Sequence, residues 1–242
     1  MVWFARGLGR DLGLYLLDGQ VLGATVPLQY RFGVPSSVPI SEVGKLLYEV
    51  AQSLGGTLWV LAASNLQEPQ LQATVDFAAL KPMTMKDVLA KKYLAGAYDP
   101  GLTHGAKLLL LMIEGEAASA LHALQPAAPS HRDAVFRARL ISVVHAVRGL
   151  AVIAALTTPP AHVTTFLHTP SATLFLQDGD IQALRNVCMH YGIRLKQYQP
   201  SANPLFGLVE VIAPSWTFDA LEATVIGTLR DAVETLATWR KP

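Results

Sequence analysis

Cysteine is nearly absent from this chain, since Cys188 is the single one among 242 residues. One thiol cannot form a disulfide within the chain, and it cannot supply a zinc site built from several thiolates. The composition fits a reducing compartment, and we expect a cytoplasmic protein. Arg6, Arg10 and Asp11 also stand where a signal peptide would need an apolar core, so we expect no secretion by that route.

Charge is also scarce. Only 15% of the residues are charged and 51% are hydrophobic, whereas typical soluble domains are about 25% charged. Large exposed apolar patches usually mark partner sites, so we expect a homo-oligomer or a stable protein partner. The net charge is +1, far from the strongly basic balance of dedicated nucleic-acid-binding domains. Nucleic acid remains a possible partner through a local patch alone.

The most apolar stretch, residues 140–156, is a poor candidate for a membrane span. His145 and Arg148 lie near its middle, and Gly149 follows them. A span needs about 20 mostly apolar residues without such interruptions. The sequence therefore predicts no transmembrane segment.

The familiar catalytic and cofactor signatures are missing as well. The chain has no G-x-x-x-x-G-K-[ST], no H-E-x-x-H, no G-x-S-x-G and no C-x-x-C. Asp178-Gly179-Asp180 is typical of a turn in which Asp180 caps the next helix, and Cys188 falls on the apolar stripe of that helix. We expect no cofactor and no metal site.

Hydrophobic periodicity and turn residues predict both strands and helices. Asp18-Gly19 between apolar runs indicates a hairpin within residues 12–32. Further strands are predicted at 57–63, 71–80, 150–156, 163–176, 194–199 and 205–213. Helices are predicted at 41–54, 84–96, 106–124, 130–149, 180–192 and from Thr217 onwards.

The order strand, helix, strand, strand, helix occurs twice, at about 20–95 and 162–239, and it matches a split βαβ module. We therefore predict an α+β protein with two split-βαβ modules, ferredoxin-like or similar, and a helical insertion between them. The predicted domains are 1–100 for the first module, 101–150 for the insertion and 151–242 for the second module. Roadblock-like and winged-helix modules share parts of this order and stay open as alternatives.

Two groups of polar residues on predicted helices have less specific interpretations. His122 and His145 lie among apolar residues, where a lone histidine is more often a hydrogen-bonded core residue than a ligand. Arg132 and Arg139 are seven residues apart and share a helix face. We expect both arginines to face solvent or an interface.

One cluster indicates binding to nucleic acid. Arg194, Lys196 and Tyr198 alternate along a predicted strand and so share one face, and Arg185 on the preceding helix could extend it. Two cations and an aromatic ring on a sheet suit an unpaired nucleic-acid strand. The alternative is a solvated sheet face.

The leading hypothesis is a non-catalytic binding or assembly subunit of a protein complex. It rests on the low charge, the apolar helical segment and the missing catalytic signatures. Two alternatives stay open: a nucleic-acid-binding protein that uses the basic and aromatic sheet face, and an enzyme with a dispersed active site.

Overall fold

The computed structural model describes residues 12–24, 82–128, 131–190 and 204–240, and within these ranges the chain is an α+β protein. The strands are β1 (Leu12–Leu17), β2 (Gln20–Ala24) and β3 (Thr84–Val88). The α-helices are α1 (Ala90–Gly96), α2 (His104–Ala118), α3 (Arg132–Ala154), α4 (Ala161–Leu167), α5 (Pro170–Gln177), α6 (Gly179–His190), α7 (Leu208–Ile212) and α8 (Phe218–Arg240). A π-helical turn, Ser119–Ala123, extends α2, and short 3-10 turns lie at Gln125–Ala127 and Pro204–Gly207.

The predicted hairpin is confirmed where the structure describes it. Asp18 and Gly19 both have positive φ angles, 49° and 81°, as a two-residue turn with the twist of a β-hairpin requires. The three strands form an antiparallel sheet in the order β2-β1-β3. β1 is therefore the central strand, and its Leu12 and Leu14 are buried.

The predicted helix 84–96 begins later than expected. Residues Thr84–Val88 form β3, which pairs Thr84 with Leu16 and Val88 with Leu12, and α1 starts only at Ala90. The local sequence at Thr84 is typical of a helix N-cap. In the fold, however, the backbone of this segment pairs with β1, and this tertiary contact overrides the local preference.

The two helices of the predicted insertion are present, and the second is longer than predicted. α3 continues through Gly149 to Ala154, so the strand predicted at 150–156 is wrong. A Cβ atom on Gly149 would come within 2.6 Å of Ile113 Cδ1. This glycine lets α2 and α3 approach closely, and it does not end the helix.

The strands predicted at 163–176 and 205–213 are also wrong. The first range forms α4 and α5, and α5 begins with Thr169 as N-cap and Pro170 at its first position, which is strong local helix chemistry. The second range forms a 3-10 turn and then α7, joined at Gly207 with a φ of 72°. The described residues after position 150 contain no strand, and two ferredoxin-like modules are not confirmed.

Some predicted elements lie outside the described residues. These are the helix at 41–54, the strands at 57–63, 71–80 and 194–199, and the end of the hairpin beyond residue 24. The predicted boundaries at residues 100 and 150 stay a prediction. One hydrophobic core nevertheless includes side chains from all three predicted ranges, from Val21 through Leu140 to Leu236.

α8 is the predicted C-terminal helix, and its apolar stripe is confirmed. Six stripe residues are buried: Phe218, Leu221, Val225, Leu229, Val233 and Leu236. The helix packs against α2, α3 and α4 and so closes the core. Of the helices in the described ranges, none has the length and apolar composition needed to cross a bilayer.

Leu229→Ala should lower the free energy of unfolding by about 2–5 kcal/mol, because Leu229 is fully buried and its truncation leaves a cavity. Urea denaturation followed by circular dichroism measures the change. Arg230→Ala, at the neighbouring exposed position of the same helix, is the control and should change stability by less than about 0.5 kcal/mol. Equal effects of the two substitutions would contradict the placement of this face.

Candidate functional site

A cleft of about 280 Å³ opens between β2, α2 and α3. Its walls include Leu22 and Gly23 of β2, Gly115 of α2, Ala123 of the π-helical turn, and Ala138 and Ser142 of α3. Most of the lining is apolar, and several members are small. Glu116 and Ser119 are its other polar members.

Close backbone contact between β2 and α2 forms one wall of the cleft. A Cβ atom on Gly115 would lie 3.2 Å from the Leu22 carbonyl oxygen and 3.3 Å from Gly23 Cα. The Ser119 hydroxyl donates to the same Leu22 oxygen at 2.8 Å, and His122 Nε2 lies 2.8 Å from Gln20 Oε1. His122 is therefore a hydrogen-bonded residue of the helix–strand contact, as the sequence predicts.

The π-helical turn is held by Arg139, which is buried and was wrongly expected to face solvent or an interface. Arg139 Nε donates to the carbonyl of Ala120 at 3.0 Å, and Nη2 donates to the carbonyl of Leu121 at 3.3 Å and to Gln125 Oε1 at 2.8 Å. Burial lowers its pKa. The carbonyls at the end of α2 thus surround a cation, which suits the negative end of the helix dipole.

A chain of polar contacts joins the cleft to α6. His145 Nδ1 lies 3.1 Å from Glu116 Oε1, and Arg185 Nη2 lies 2.9 Å from His145 Nε2. A guanidinium can only donate hydrogen bonds, so Nε2 accepts from Arg185 and Nδ1 donates to Glu116. Glu116 lines the cleft, and His145 fixes the position of its carboxylate.

The hydrogen bonds of His145 also determine whether Ser142 could act as a nucleophile. Serine, histidine and glutamate together are the residue types of a hydrolytic triad, in which a ring nitrogen must accept the serine proton. Here the accepting nitrogen of His145 is already used by Arg185. Within the described ranges, no serine, threonine or cysteine side chain is hydrogen bonded to a histidine or a carboxylate.

Arg185 is the one member of the predicted nucleic-acid site that the structure describes. Its guanidinium donates to His145 and, through Nη1, to Asn186 Oδ1 at 2.9 Å. Arg194, Lys196 and Tyr198 lie outside the described residues. The basic and aromatic face therefore stays a prediction, and its half-buried Arg185 is hydrogen bonded to His145.

A second polar cluster lies at the centre of the fold around Glu114, which is fully buried. Glu114 Oε1 accepts from Val21 N at 2.8 Å and from Arg240 Nη2 at 3.1 Å. Oε2 accepts from Arg240 Nε at 2.9 Å and from the Tyr98 hydroxyl at 3.4 Å. Four donors converge on this side chain, so the site stabilises the ionised carboxylate.

Arg240 continues the cluster to the surface of the sheet and to α1. Its Nη2 donates to the Gly19 carbonyl in the hairpin turn, and its Nη1 donates to the Tyr93 hydroxyl at 3.4 Å. The Arg240 carbonyl accepts from Tyr98 N at 3.1 Å, and Trp239 packs edge-on against the Tyr98 ring at 5.9 Å. The end of α8 is thereby tied to the hairpin, to α1 and to α2.

The pKa values in this cluster are set by burial and by the ion pair. Burial raises the pKa of Glu114, and the hydrogen bond and charge of Arg240 lower it in part. Burial acts to lower the pKa of Arg240, but the hydrogen bond and charge of Glu114 outweigh it and leave the pKa raised. Burial together with the Glu114 charge raises the pKa of Tyr98 well above its ordinary value. Arg240 stays charged and Tyr98 stays a donor.

The acidic turn and the thiol have structural roles. Asp178 Oδ1 accepts from the backbone N of Asp180 and of Ile181, both at 2.9 Å. Asp178 is thus the N-cap of α6, and the predicted capping role of Asp180, two residues later, is wrong. Cys188 is buried, as its place on the apolar stripe predicts, and burial raises its pKa to about 11.

The sequence-based predictions did not include Glu114, Arg240 or Ser142. The sequence does contain a signal for Glu114 and for Arg240. Glu114 is a carboxylate in the middle of the run Leu108 to Ala118, which is otherwise apolar apart from Glu116. Arg240 follows Leu236 by four residues and therefore lies on the buried stripe of α8. A charged residue on a buried stripe must be paired, so each predicts a partner without naming it.

Neither a metal cluster nor a known relative accounts for this arrangement. Among the residues that the structure describes, no three histidine, cysteine, aspartate or glutamate side chains could hold a metal ion together. The chain matches no protein-family model, no curated protein and no solved structure. The contacts along α2 and α3 are therefore the basis for the function proposed below.

Glu114→Leu should lower the free energy of unfolding by about 3–5 kcal/mol, because it leaves the Arg240 guanidinium buried without a carboxylate. Arg240→Leu should lower the free energy of unfolding by a similar amount, because it leaves the Glu114 carboxylate buried without a guanidinium. The double variant leaves neither charge alone, so its cost should be smaller than the sum of the two by at least about 1 kcal/mol. Urea denaturation of all four proteins measures the cycle.

The exposed ion pair of Arg132 with Asp219 and Glu222 is the control for this cycle. Arg132 is 43% exposed and Asp219 79% exposed, so Asp219→Ala should cost less than about 1 kcal/mol. Strictly additive costs at Glu114 and Arg240 would show that the two side chains do not stabilise each other.

Cys188 should resist alkylation in the folded protein. With a pKa of about 11, about one thiol in a thousand is ionised at pH 8, whereas an unfolded thiol with a pKa near 8.5 is ionised in about one case in four. Iodoacetamide labelling followed by mass spectrometry should therefore be at least about 100-fold slower in buffer than in urea. The native rate should rise about tenfold per pH unit between pH 8 and 10; equal native and urea rates would contradict the burial of this thiol.

Proposed function

We propose that this chain is a non-catalytic binding or assembly subunit of a protein complex, and that its contact surface is an apolar seam on α2 and α3. The seam consists of Leu109 and Ile113 on α2, Val152 on α3, and Leu156 in the turn that follows α3. Three of these side chains are unusually exposed: Leu109 by 52%, Val152 by 65% and Leu156 by 67%. This exposure is the observation that carries the proposal.

The packing of α2 against α3 brings the seam residues together. Glu116 contacts His145 and Ile113 contacts Gly149, so the two helices run in opposite directions. One helical turn is about 3.6 residues. Leu109 lies one turn before Ile113, and Val152 lies about one turn after Gly149, so this register places Leu109 beside Val152.

The polar chain beyond the seam supports a non-catalytic role. Glu116, His145 and Arg185 use one another's hydrogen-bonding groups, and a histidine whose acceptor nitrogen faces a guanidinium is not poised to take a proton from Ser142. These contacts stiffen the end of the seam. A rigid surface loses less conformational freedom when a partner binds.

A second copy of this chain is the partner that we infer. The net charge of the chain is +1, so two copies repel each other only weakly at long range. Only 15% of the residues are charged. Such a low charge content is more typical of subunits that cover apolar surface by association than of monomers.

Light scattering after size exclusion should show a dimer whose proportion rises with protein concentration. The double variant Leu109→Asp/Val152→Asp should be monomeric, because it places two carboxylates in the apolar contact. Val211→Asp is the matched control, since Val211 is 53% exposed on α7 and is not part of the seam.

Three outcomes would overturn the proposal. The first is a strictly monomeric wild-type chain at high concentration. The second is a dimer that survives the double substitution, and the third is a dimer that Val211→Asp disrupts to the same extent. Unchanged circular dichroism spectra of the variants show that their effect is on association and not on folding.

A further inference from the structure

The cleft between β2, α2 and α3 has the construction of a small-molecule site. Its volume of about 280 Å³ is near the lower end of ligand pockets, which span about 300–1,000 Å³. At ordinary packing density this space suits a molecule of about ten non-hydrogen atoms. The space exists because Gly23, Ala123 and Ala138 present little or no side chain to it.

The π-helical turn is the second reason for the space. An α-helix that continued regularly after Ala118 would place the following side chains along the stripe of Leu111 and Gly115. The turn Ser119–Ala123 widens the helix instead, and Arg139 holds its carbonyls from the opposite side. Single π-helical turns within α-helices occur frequently at functional sites.

Ser142 points to what the cleft accepts. It is only 7% exposed and lines the cleft, yet its hydroxyl forms no hydrogen bond to any residue that the structure describes. Ser119, on the facing helix, already uses its hydroxyl to bind the Leu22 carbonyl. The Ser142 hydroxyl is thus free to donate or accept within the cleft, and a ligand with one hydroxyl group would supply a partner for it.

Glu116 restricts the charge of the ligand. Its carboxylate lines the cleft and is held by His145. A charged ligand would lose its hydration in this largely apolar space, while the carboxylate of Glu116 is already engaged by His145. An uncharged molecule avoids that cost.

We propose that this cleft binds a small uncharged alcohol or phenol, with its apolar body between β2 and α3 and its hydroxyl hydrogen bonded to Ser142. Binding of this kind needs no assembly, because the seam residues Leu109 and Val152 are not among the cleft walls. The site is thus independent of the contact surface proposed above.

Three related probes test the proposal: 2-naphthol, naphthalene without the hydroxyl, and 2-naphthoate with a negative charge. Each is titrated into the 242-residue chain and followed by amide shifts in ¹H–¹⁵N spectra. We expect saturable binding of 2-naphthol, with the largest shifts at Gly23 and Gly115, weaker binding of naphthalene, and no saturable binding of 2-naphthoate. The same titration of Leu109→Asp/Val152→Asp separates this site from association.

Variants locate the contact. Ser142→Ala should weaken 2-naphthol binding about three- to tenfold, the value of one neutral hydrogen bond, and leave naphthalene binding unchanged. Ala123→Leu fills the cleft and should weaken both probes at least about tenfold; Ala138→Leu is a second filling variant in case the first does not fold. Ala134→Leu, on the exposed side of α3, is the matched control and should bind as the parent does.

Several results would overturn the proposal. These are the absence of saturable 2-naphthol binding, shifts that spare Gly23 and Gly115, binding of 2-naphthoate as tight as that of 2-naphthol, and equal loss of 2-naphthol and naphthalene in Ser142→Ala. Retained binding in both filling variants would place the probes elsewhere.

Discussion

The buried ion pair of Glu114 and Arg240 ties together elements that lie far apart in the sequence. It lies where the hairpin, α1, α2 and α8 meet, and the two residues are 126 positions apart in the chain. Burying two charges costs several kcal/mol per ion, and only good geometry and further hydrogen bonds offset that cost. Val21, Tyr98 and Tyr93 supply those bonds.

The ion pair also explains how the cleft and the seam keep their shape. Glu114 is followed by Gly115, which contacts β2, and by Glu116, which contacts His145. Fixing Glu114 therefore fixes the rotation of α2 about its own axis. One side of the helix then faces the hairpin, while Ile113 packs against Gly149 of α3 and Leu109 stays exposed.

Local signals in the sequence were sufficient for some elements and misleading for others. Asp18-Gly19 gives the hairpin, and the stripe from Phe218 to Leu236 gives α8, because turn chemistry and periodicity act over a few residues. Gly149 was interpreted as a helix end, but its role is the close approach of Ile113, a contact between helices that no local pattern contains. The candidate site depends on the same kind of contact: Glu114 is conspicuous alone, whereas Arg240, the π-helical turn and the unpaired Ser142 become meaningful only in three dimensions.

The long separation of Glu114 from Arg240 has a consequence for how the chain is made. Ribosomes synthesise about 5–20 residues per second, so the 126 residues between the two take about 6–25 s. During that time the hairpin and α2 have been synthesised, but the carboxylate at their contact has no counterion. A nascent chain at this stage can collapse around its apolar residues, yet it gains the native rotation of α2 only after the last turn of α8 has arrived. Completion of the core therefore waits for the synthesis of α8, even though many of its residues are translated before that helix.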